Sequence, residues 1–183
     1  MINPFENIVP LLFLIIVTIG SAVVDVQKHR IPNWITFPAM LMAISYYSAR
    51  HGWDGFMFSA GGLGVGTALL LLPYLMGGMG AGDAKLMGAV GACLGMDMTL
   101  SAFLFIAGIG CLYAFLVIVF QRRRLKGYFT QLWNTALVFM LTRKYVRVET
   151  AEEDRPKVYY GIAIAAGTLM FLVVEMTGGQ LAI

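Results

Sequence analysis

Charge is scarce in this sequence of 183 residues, because only 13% of them are Asp, Glu, Lys or Arg, against ~25% in a typical soluble domain. Hydrophobic residues make up 59% of the chain, and its mean hydropathy is +0.78. A disordered chain combines few apolar residues with high net charge and is therefore excluded. The composition predicts an integral membrane protein, and the length allows six spans of ~20 residues with short loops.

Cysteine and histidine are scarce as well, and their placement excludes further classes. Cys93 and Cys111 both lie in apolar stretches, where a free thiol behaves as a small hydrophobe. Two cysteines without a CxxC pair provide neither a secreted disulfide scaffold nor a zinc site of the usual spacing. His29 and His51 stand at opposite ends of an apolar segment, so we expect no shared metal site.

Apolar runs predict an all-α membrane protein, a bundle of six transmembrane helices in a single domain over residues 1–183. The predicted spans are 8–24, 35–49, 55–76, 84–96, 100–120 and 158–176. The fourth is short, with a rise of ~20 Å, so we expect its N-terminal end to be recessed from the membrane surface. Residues 128–141 are apolar but short and interrupted by polar side chains, which predicts an interfacial amphipathic helix.

The basic residues predict the orientation. With both termini outside and the segment 128–141 on the inner face, 12 of the 13 Lys and Arg residues lie inside and only Arg50 lies outside. This distribution satisfies the positive-inside rule. The formal net charge of +3 therefore indicates topology and contact with anionic lipids, and we expect no nucleic-acid partner.

Glycines 61, 62, 64 and 66 form a GGLGVG run inside the third span. A dinucleotide-binding loop would need a preceding strand and a βαβ pattern, and neither is present in the sequence. Gly62-xxx-Gly66 in an apolar segment is instead typical of close helix packing. We interpret this run as a packing surface.

Two acidic residues stand apart from the others. Eight of the ten lie in loops or at outer ends, whereas Asp25 and Asp83 lie at the inner edge of apolar segments. An ionisable side chain at membrane depth costs ~2.5–3.5 kcal/mol and is a functional candidate. Two carboxylates that approach closely do not both ionise readily, which supplies one acid and one base to activate water. The alternative is that Asp83 caps a helix and Asp25 ends the first span.

The neighbours of the two aspartates have predicted roles of their own. Gly80 and Gly82 lack a Cβ and would let a substrate strand approach the backbone closely. Pro32 and Asn33 belong to a turn that leads into the second span. Lys85 either binds a lipid phosphate or adjusts the carboxylate two residues before it.

Two motifs carry a resemblance to a known family. Residues 25–33, with the sequence DVQKHRIPN, resemble the first aspartate motif of the type IV prepilin peptidases, an Asp before an Ile/Leu-Pro-Asn/Asp turn. Residues 78–87, with the sequence GMGAGDAKLM, resemble the second, the GxGD motif with a trailing Lys. The two motifs in this order are specific together, and the resemblance covers roughly residues 8–120.

The resemblance implies a membrane-embedded aspartic endopeptidase with Asp25 and Asp83 as its catalytic residues and without a metal or other cofactor. Such enzymes remove the short basic leader from prepilins or prepilin-like subunits, at the cytoplasmic side of a bacterial inner membrane. The small size looks most like the enzymes of Flp/Tad-type pili. Bifunctional members that also N-methylate carry a cytoplasmic loop with CxxC pairs, which this chain lacks. The prediction therefore extends to peptidase activity and not to methylation.

Two other functions are compatible with the same acids. A small proton-coupled transporter would use them as a relay, although the sequence has no inverted repeat and both acids lie at one membrane edge rather than at the midplane. A structural assembly subunit would use the glycines for packing and the acids as caps. That third function predicts that Asp83→Asn is tolerated.

Overall fold

The computed structural model describes residues 2–28, 30–75, 79–120 and 160–178, and all regular structure within them is helical. A 3-10 turn at Pro4–Glu6 precedes four α-helices, which are α1 (Ile8–Lys28), α2 (Asn33–Leu75), α3 (Ala81–Phe120) and α4 (Tyr160–Met176). Three of them, α1, α2 and α3, are long and apolar enough to cross a membrane, while α4 is a shorter apolar helix. The prediction of an all-α fold is confirmed for this part of the chain.

Each of the two longest helices contains one glycine that leaves the helical conformation. Gly52 in α2 has φ 59° and ψ −132°, and Gly95 in α3 has φ 78° and ψ 175°, values that side chains other than glycine rarely adopt. Across Gly52 the rings of Tyr47 and Phe58 lie 4.8 Å apart, whereas a straight helix would separate these positions by ~16 Å. The chain therefore folds back at this glycine, and α2 consists of two helical arms.

The predicted spans correspond to these arms. Spans 35–49 and 55–76 match the two arms of α2, and 84–96 and 100–120 match the two segments of α3 on either side of Gly95. The sequence suggested a polar loop near residue 50, but helix continues up to Gly52, since only the glycine interrupts it. Six membrane crossings and their orientation stay predictions, and the proposed interfacial helix lies outside the described residues.

The first arm of α3 forms the centre of the bundle. Leu86, Met87 and Val90 are completely buried, and Gly88 and Gly91 of this arm face the second arm of α2. A Cβ on Gly62 would lie 2.0 Å from the carbonyl oxygen of Gly91. Backbone meets backbone at this contact, so the packing interpretation of the glycine run is confirmed.

We expect Gly62→Ala to destabilise the protein, because its methyl group would meet backbone atoms that move only if α2 and α3 separate. Overpacking of this kind costs ~1–3 kcal/mol or more. Gly64 is exposed and has nothing within 4 Å of its Cβ position, so Gly64→Ala is the matched control. Thermal unfolding in detergent should give a lower Tm for the first variant alone. Equal Tm values would contradict the close packing.

Contacts group residues 1–110 and 159–183 into one compact unit and residues 111–158 into another. The candidate site described below lies in the first unit. In it, α1 packs along α4, and the rings of Phe105 and Phe171 lie 5.9 Å apart. The described part of the second unit is the C-terminal end of α3. That the whole chain forms a single domain stays a prediction.

Candidate active site

Asp25 lies in the last turn of α1, and its side chain is only 7% exposed. The sequence indicated that the first span ends at Val24, but the helix continues to Lys28, whose positive charge suits a helix C-terminus. The Asp25 Oδ2 atom accepts a hydrogen bond of 3.1 Å from the backbone N–H of Gly161. Because Gly161 belongs to the first turn of α4, the last described helix reaches the first aspartate.

Asp83 lies in the first turn of α3 and is also 7% exposed. Its Oδ2 atom accepts a 3.0 Å hydrogen bond from the N–H of Gly80, while its own N–H donates to the Gly80 carbonyl at 3.1 Å. The bond from the Gly80 N–H to the Asp83 side chain is one half of a capping box; the other half is missing, because glycine has no side chain and its backbone carbonyl accepts from Asp83 instead. The aspartate therefore acts as a cap from the third helical position and not as the N-cap residue itself. The cap involves Oδ2 and is compatible with a further role for the carboxylate.

The structure brings the two aspartates to the same end of the bundle. Their carboxylates lie within electrostatic range of each other, and Tyr160, at the start of α4, lies within that range of Asp83. The Asp25 carboxylate accepts from an N–H in the first turn of α4, and the Asp83 carboxylate accepts from the N–H of the residue just before α3. Both positions are at helix N-termini, where the helix dipole favours negative charge. Burial and mutual repulsion both oppose ionisation of the two carboxylates together, and one proton on such a pair would supply one acid and one base.

Gly82 joins the two aspartate motifs. A Cβ at this position would lie 2.9 Å from the Cβ and 3.0 Å from the carbonyl oxygen of Ile31, which is buried in the loop before α2. The close approach that the sequence predicted for a substrate strand is made here by the chain's own loop. Gly80 is exposed, and a Cβ on it would lie 3.2 Å from Asp83 Oδ2.

Lys85 and Asn33 form a second link between the motifs. The Lys85 Nζ atom donates a 2.8 Å hydrogen bond to Asn33 Oδ1 and lies 5.1 Å from the ring centroid of Phe37. Asn33 begins α2, and the preceding Pro32 accepts a 3.1 Å hydrogen bond from the N–H of Ile35. In the structure the lysine therefore ties the start of α3 to the start of α2.

We expect Lys85→Met and Asn33→Ala to be non-additive in their effects on stability. A typical intramolecular hydrogen bond contributes ~0.5–1.5 kcal/mol, and this one is exposed, so a double-mutant cycle should give a coupling near the lower end of that range. The free energies of unfolding of the two single variants and the double variant, measured in detergent, provide the cycle. Strictly additive effects would show that the contact contributes nothing.

Gly161 is the site residue that sequence reasoning missed. It stands 136 positions from Asp25 in the chain, and no local motif relates the two. The available signal was a glycine directly at the start of an apolar segment, next to Tyr159 and Tyr160. That signal alone does not say which carboxylate the glycine meets.

The described residues form no group of three or more His, Cys, Asp or Glu side chains that would hold a metal ion. Both cysteines are free thiols, Cys93 buried and Cys111 exposed.

The residues that the structure describes define a class: an all-helical protein with three helices long and apolar enough to cross a membrane, and with two buried aspartates, one at the end of α1 and one at the start of α3. The model of the type IV leader peptidase family matches residues 11–119, more than half of the chain. The chain therefore belongs to the type IV leader peptidase family, and the resemblance carried by the two aspartate motifs is confirmed.

A curated relative has a similar sequence over part of its length. The prepilin leader peptidase/N-methyltransferase of Bacillus subtilis (strain 168) is 36% identical over 115 residues, which are 60% of this chain and 43% of the relative. The chain thus matches less than half of the length of that protein. No solved structure matches the chain.

Proposed function

We propose that the protein is a membrane-embedded aspartic endopeptidase that removes the short basic leader from prepilins or prepilin-like subunits. The observation that carries this proposal is that Asp25 and Asp83, one from each motif, are both 7% exposed and lie within electrostatic range of each other. Membership of the leader peptidase family and the name of the curated relative support the same activity.

The proposed chemistry uses one proton shared by the two carboxylates. The ionised carboxylate takes a proton from a water molecule while the oxygen of that water attacks the scissile carbonyl carbon. The protonated carboxyl group donates its proton to the carbonyl oxygen. The tetrahedral intermediate then breaks its C–N bond, and the leaving amine receives a proton from the pair. Because the pair titrates as a unit, the starting proton belongs to neither residue alone.

The proposed setting is a bacterial inner membrane, with both termini outside and the pair facing the cytoplasm. The positive-inside distribution of Lys and Arg supports this orientation. The partner is a prepilin whose apolar helix lies in the bilayer while its leader reaches the pair, and membrane lipids surround the bundle. We propose a Flp/Tad-type pilin among possible substrates, and the proposal includes no cofactor and no methyl transfer.

The test is cleavage of a purified prepilin by the purified protein in liposomes, with the new N-terminus identified by mass spectrometry. The family resemblance implies a cut after a glycine at the end of the leader. We therefore expect one cut at that position, and a substrate with a bulky residue in place of the glycine is the control. Proton-driven solute uptake without proteolysis would instead support a transporter. Absence of cleavage by the wild-type protein would overturn the proposed function.

A further inference from the structure

We infer that the first turn of α4 is part of the active site and that Gly161 is a positioning residue for Asp25. The inference rests on the proposed function, because it is the catalytic use of Asp25 that gives its position a consequence. Residue 161 lies beyond residues 11–119, which the family model matches. Neither aspartate motif contains it.

The first observation is a hydrogen bond. The first N–H groups of an α-helix have no acceptor within the helix and need one elsewhere. Gly161 is the second residue of α4, and its N–H donates to Asp25 Oδ2 at 3.1 Å in a buried contact. A charge-assisted hydrogen bond of this kind fixes the orientation of the carboxylate as well as stabilising its charged form.

The second observation is steric and independent of the first. A Cβ on Gly161 would lie 2.8 Å from Asp25 Oδ2 and 3.0 Å from Asp25 Cβ. The second contact is close to the α1 backbone, so a new rotamer of the aspartate does not relieve it. Any residue with a side chain at position 161 would therefore push α4 away from α1 or displace the carboxylate.

The backbone conformation at position 161 does not require glycine. Its φ is not positive, in contrast to Gly52 and Gly95, so its conformation is open to any residue. Glycine is also the poorest helix former after proline. What requires glycine at position 161 is the close approach of Asp25, which makes the first turn of α4 a wall of the site.

Among the residues that the structure describes, α3 and α4 contribute titratable groups close to Asp25 and to each other. Asp83, at the start of α3, lies within electrostatic range of Asp25, and Tyr160, at the start of α4, lies within range of Asp83. Displacing Asp25 therefore changes its relation to Asp83 as well as to Gly161. For this reason a substitution at Gly161 that displaces Asp25 should slow the chemical step rather than weaken substrate binding.

The kinetic test compares Gly161→Ala with Gly167→Ala in the cleavage assay. Gly167 lies on the same helix, and a Cβ on it would be 2.5 Å from the Cα of Ile106, so its variant disturbs packing away from the pair. We expect Gly161→Ala to lower kcat by about tenfold or more, with KM unchanged and the acid limb of the pH profile at higher pH. Gly167→Ala should lower Tm without moving the pH profile. A wild-type kcat and pH profile in Gly161→Ala would overturn the inference.

A second measurement needs neither a Gly161 variant nor an active enzyme. Asp25→Ala removes the acceptor, so hydrogen exchange at the Gly161 amide should become about tenfold faster, while exchange at the Gly167 amide stays unchanged. Unchanged exchange at Gly161 would also overturn the inference. If exchange responds but the wild-type protein cleaves no prepilin, the contact stands and the proposed function fails.

Discussion

Asparagine in place of either Asp25 or Asp83 should abolish leader cleavage, with a loss of about 10³-fold or more in kcat. General acid–base catalysis contributes ~10²–10⁴-fold, and loss of one member of a catalytic unit removes most of the benefit of the other. Asparagine has nearly the same shape and retains an oxygen that can accept from the Gly80 or Gly161 N–H. The substitution therefore removes the ionisable group while leaving the local hydrogen bonds largely in place.

Asp54→Asn and Asp97→Asn are the matched controls, because both of these aspartates are exposed and neither belongs to the two motifs. We expect their cleavage rates to equal that of the wild-type protein. Thermal unfolding of all four variants separates loss of chemistry from loss of fold. Full activity of Asp83→Asn would contradict the proposed mechanism and favour a capping role for this residue in a structural subunit.

The double variant sharpens the same prediction. If the two carboxylates form one catalytic unit, combining Asp25→Asn with Asp83→Asn should lower kcat little further than either change alone. If the two aspartates contributed independently, the fold losses in kcat of the single variants would multiply in the double variant. Residual rates of the single and double variants, measured with a large excess of enzyme, decide between the two cases.

The helices and the two candidate aspartates could be predicted from the sequence because each depends on local composition. Apolar runs mark the arms of α2 and α3, and an acidic residue is conspicuous in a chain with 13% charge. The sequence did not show that Gly52 and Gly95 carry the bends, since many other glycines in this chain lie within straight helix. A positive φ results from the packing of the two arms and has no local signature.

The residues that line the site could not be predicted from the sequence, for a related reason. The contact between Gly161 and Asp25 joins positions 136 residues apart, and that between Gly82 and Ile31 joins the two motifs across most of α2. In a sequence, a glycine indicates a close approach to the backbone at that position but does not identify the group that approaches. For Gly82 the sequence suggested a substrate strand, which stays a prediction, and the structure adds a contact with the loop before α2.

Gly82→Ala distinguishes these two interpretations and should have the second-largest effect. The added methyl group would lie 2.9 Å from the Ile31 Cβ and 3.0 Å from its carbonyl oxygen. Ile31 is 7% exposed and precedes the rigid Pro32, so it has little room to move. The first turn of α3 must shift instead, and with it Asp83. A misplacement approaching 1 Å lowers a catalytic rate by about 10²-fold.

The kinetic constants then separate a loop contact from a substrate contact. If Gly82 packs on Ile31, Gly82→Ala lowers kcat by about 10²-fold and leaves KM near its wild-type value, since the misplaced group acts in the chemical step. If the glycine lines the path of the substrate, KM rises and kcat changes little. Gly64→Ala, in open space, should change neither constant. A raised KM with an unchanged kcat would mean that the open face of Gly82 belongs to the leader peptide rather than to the loop.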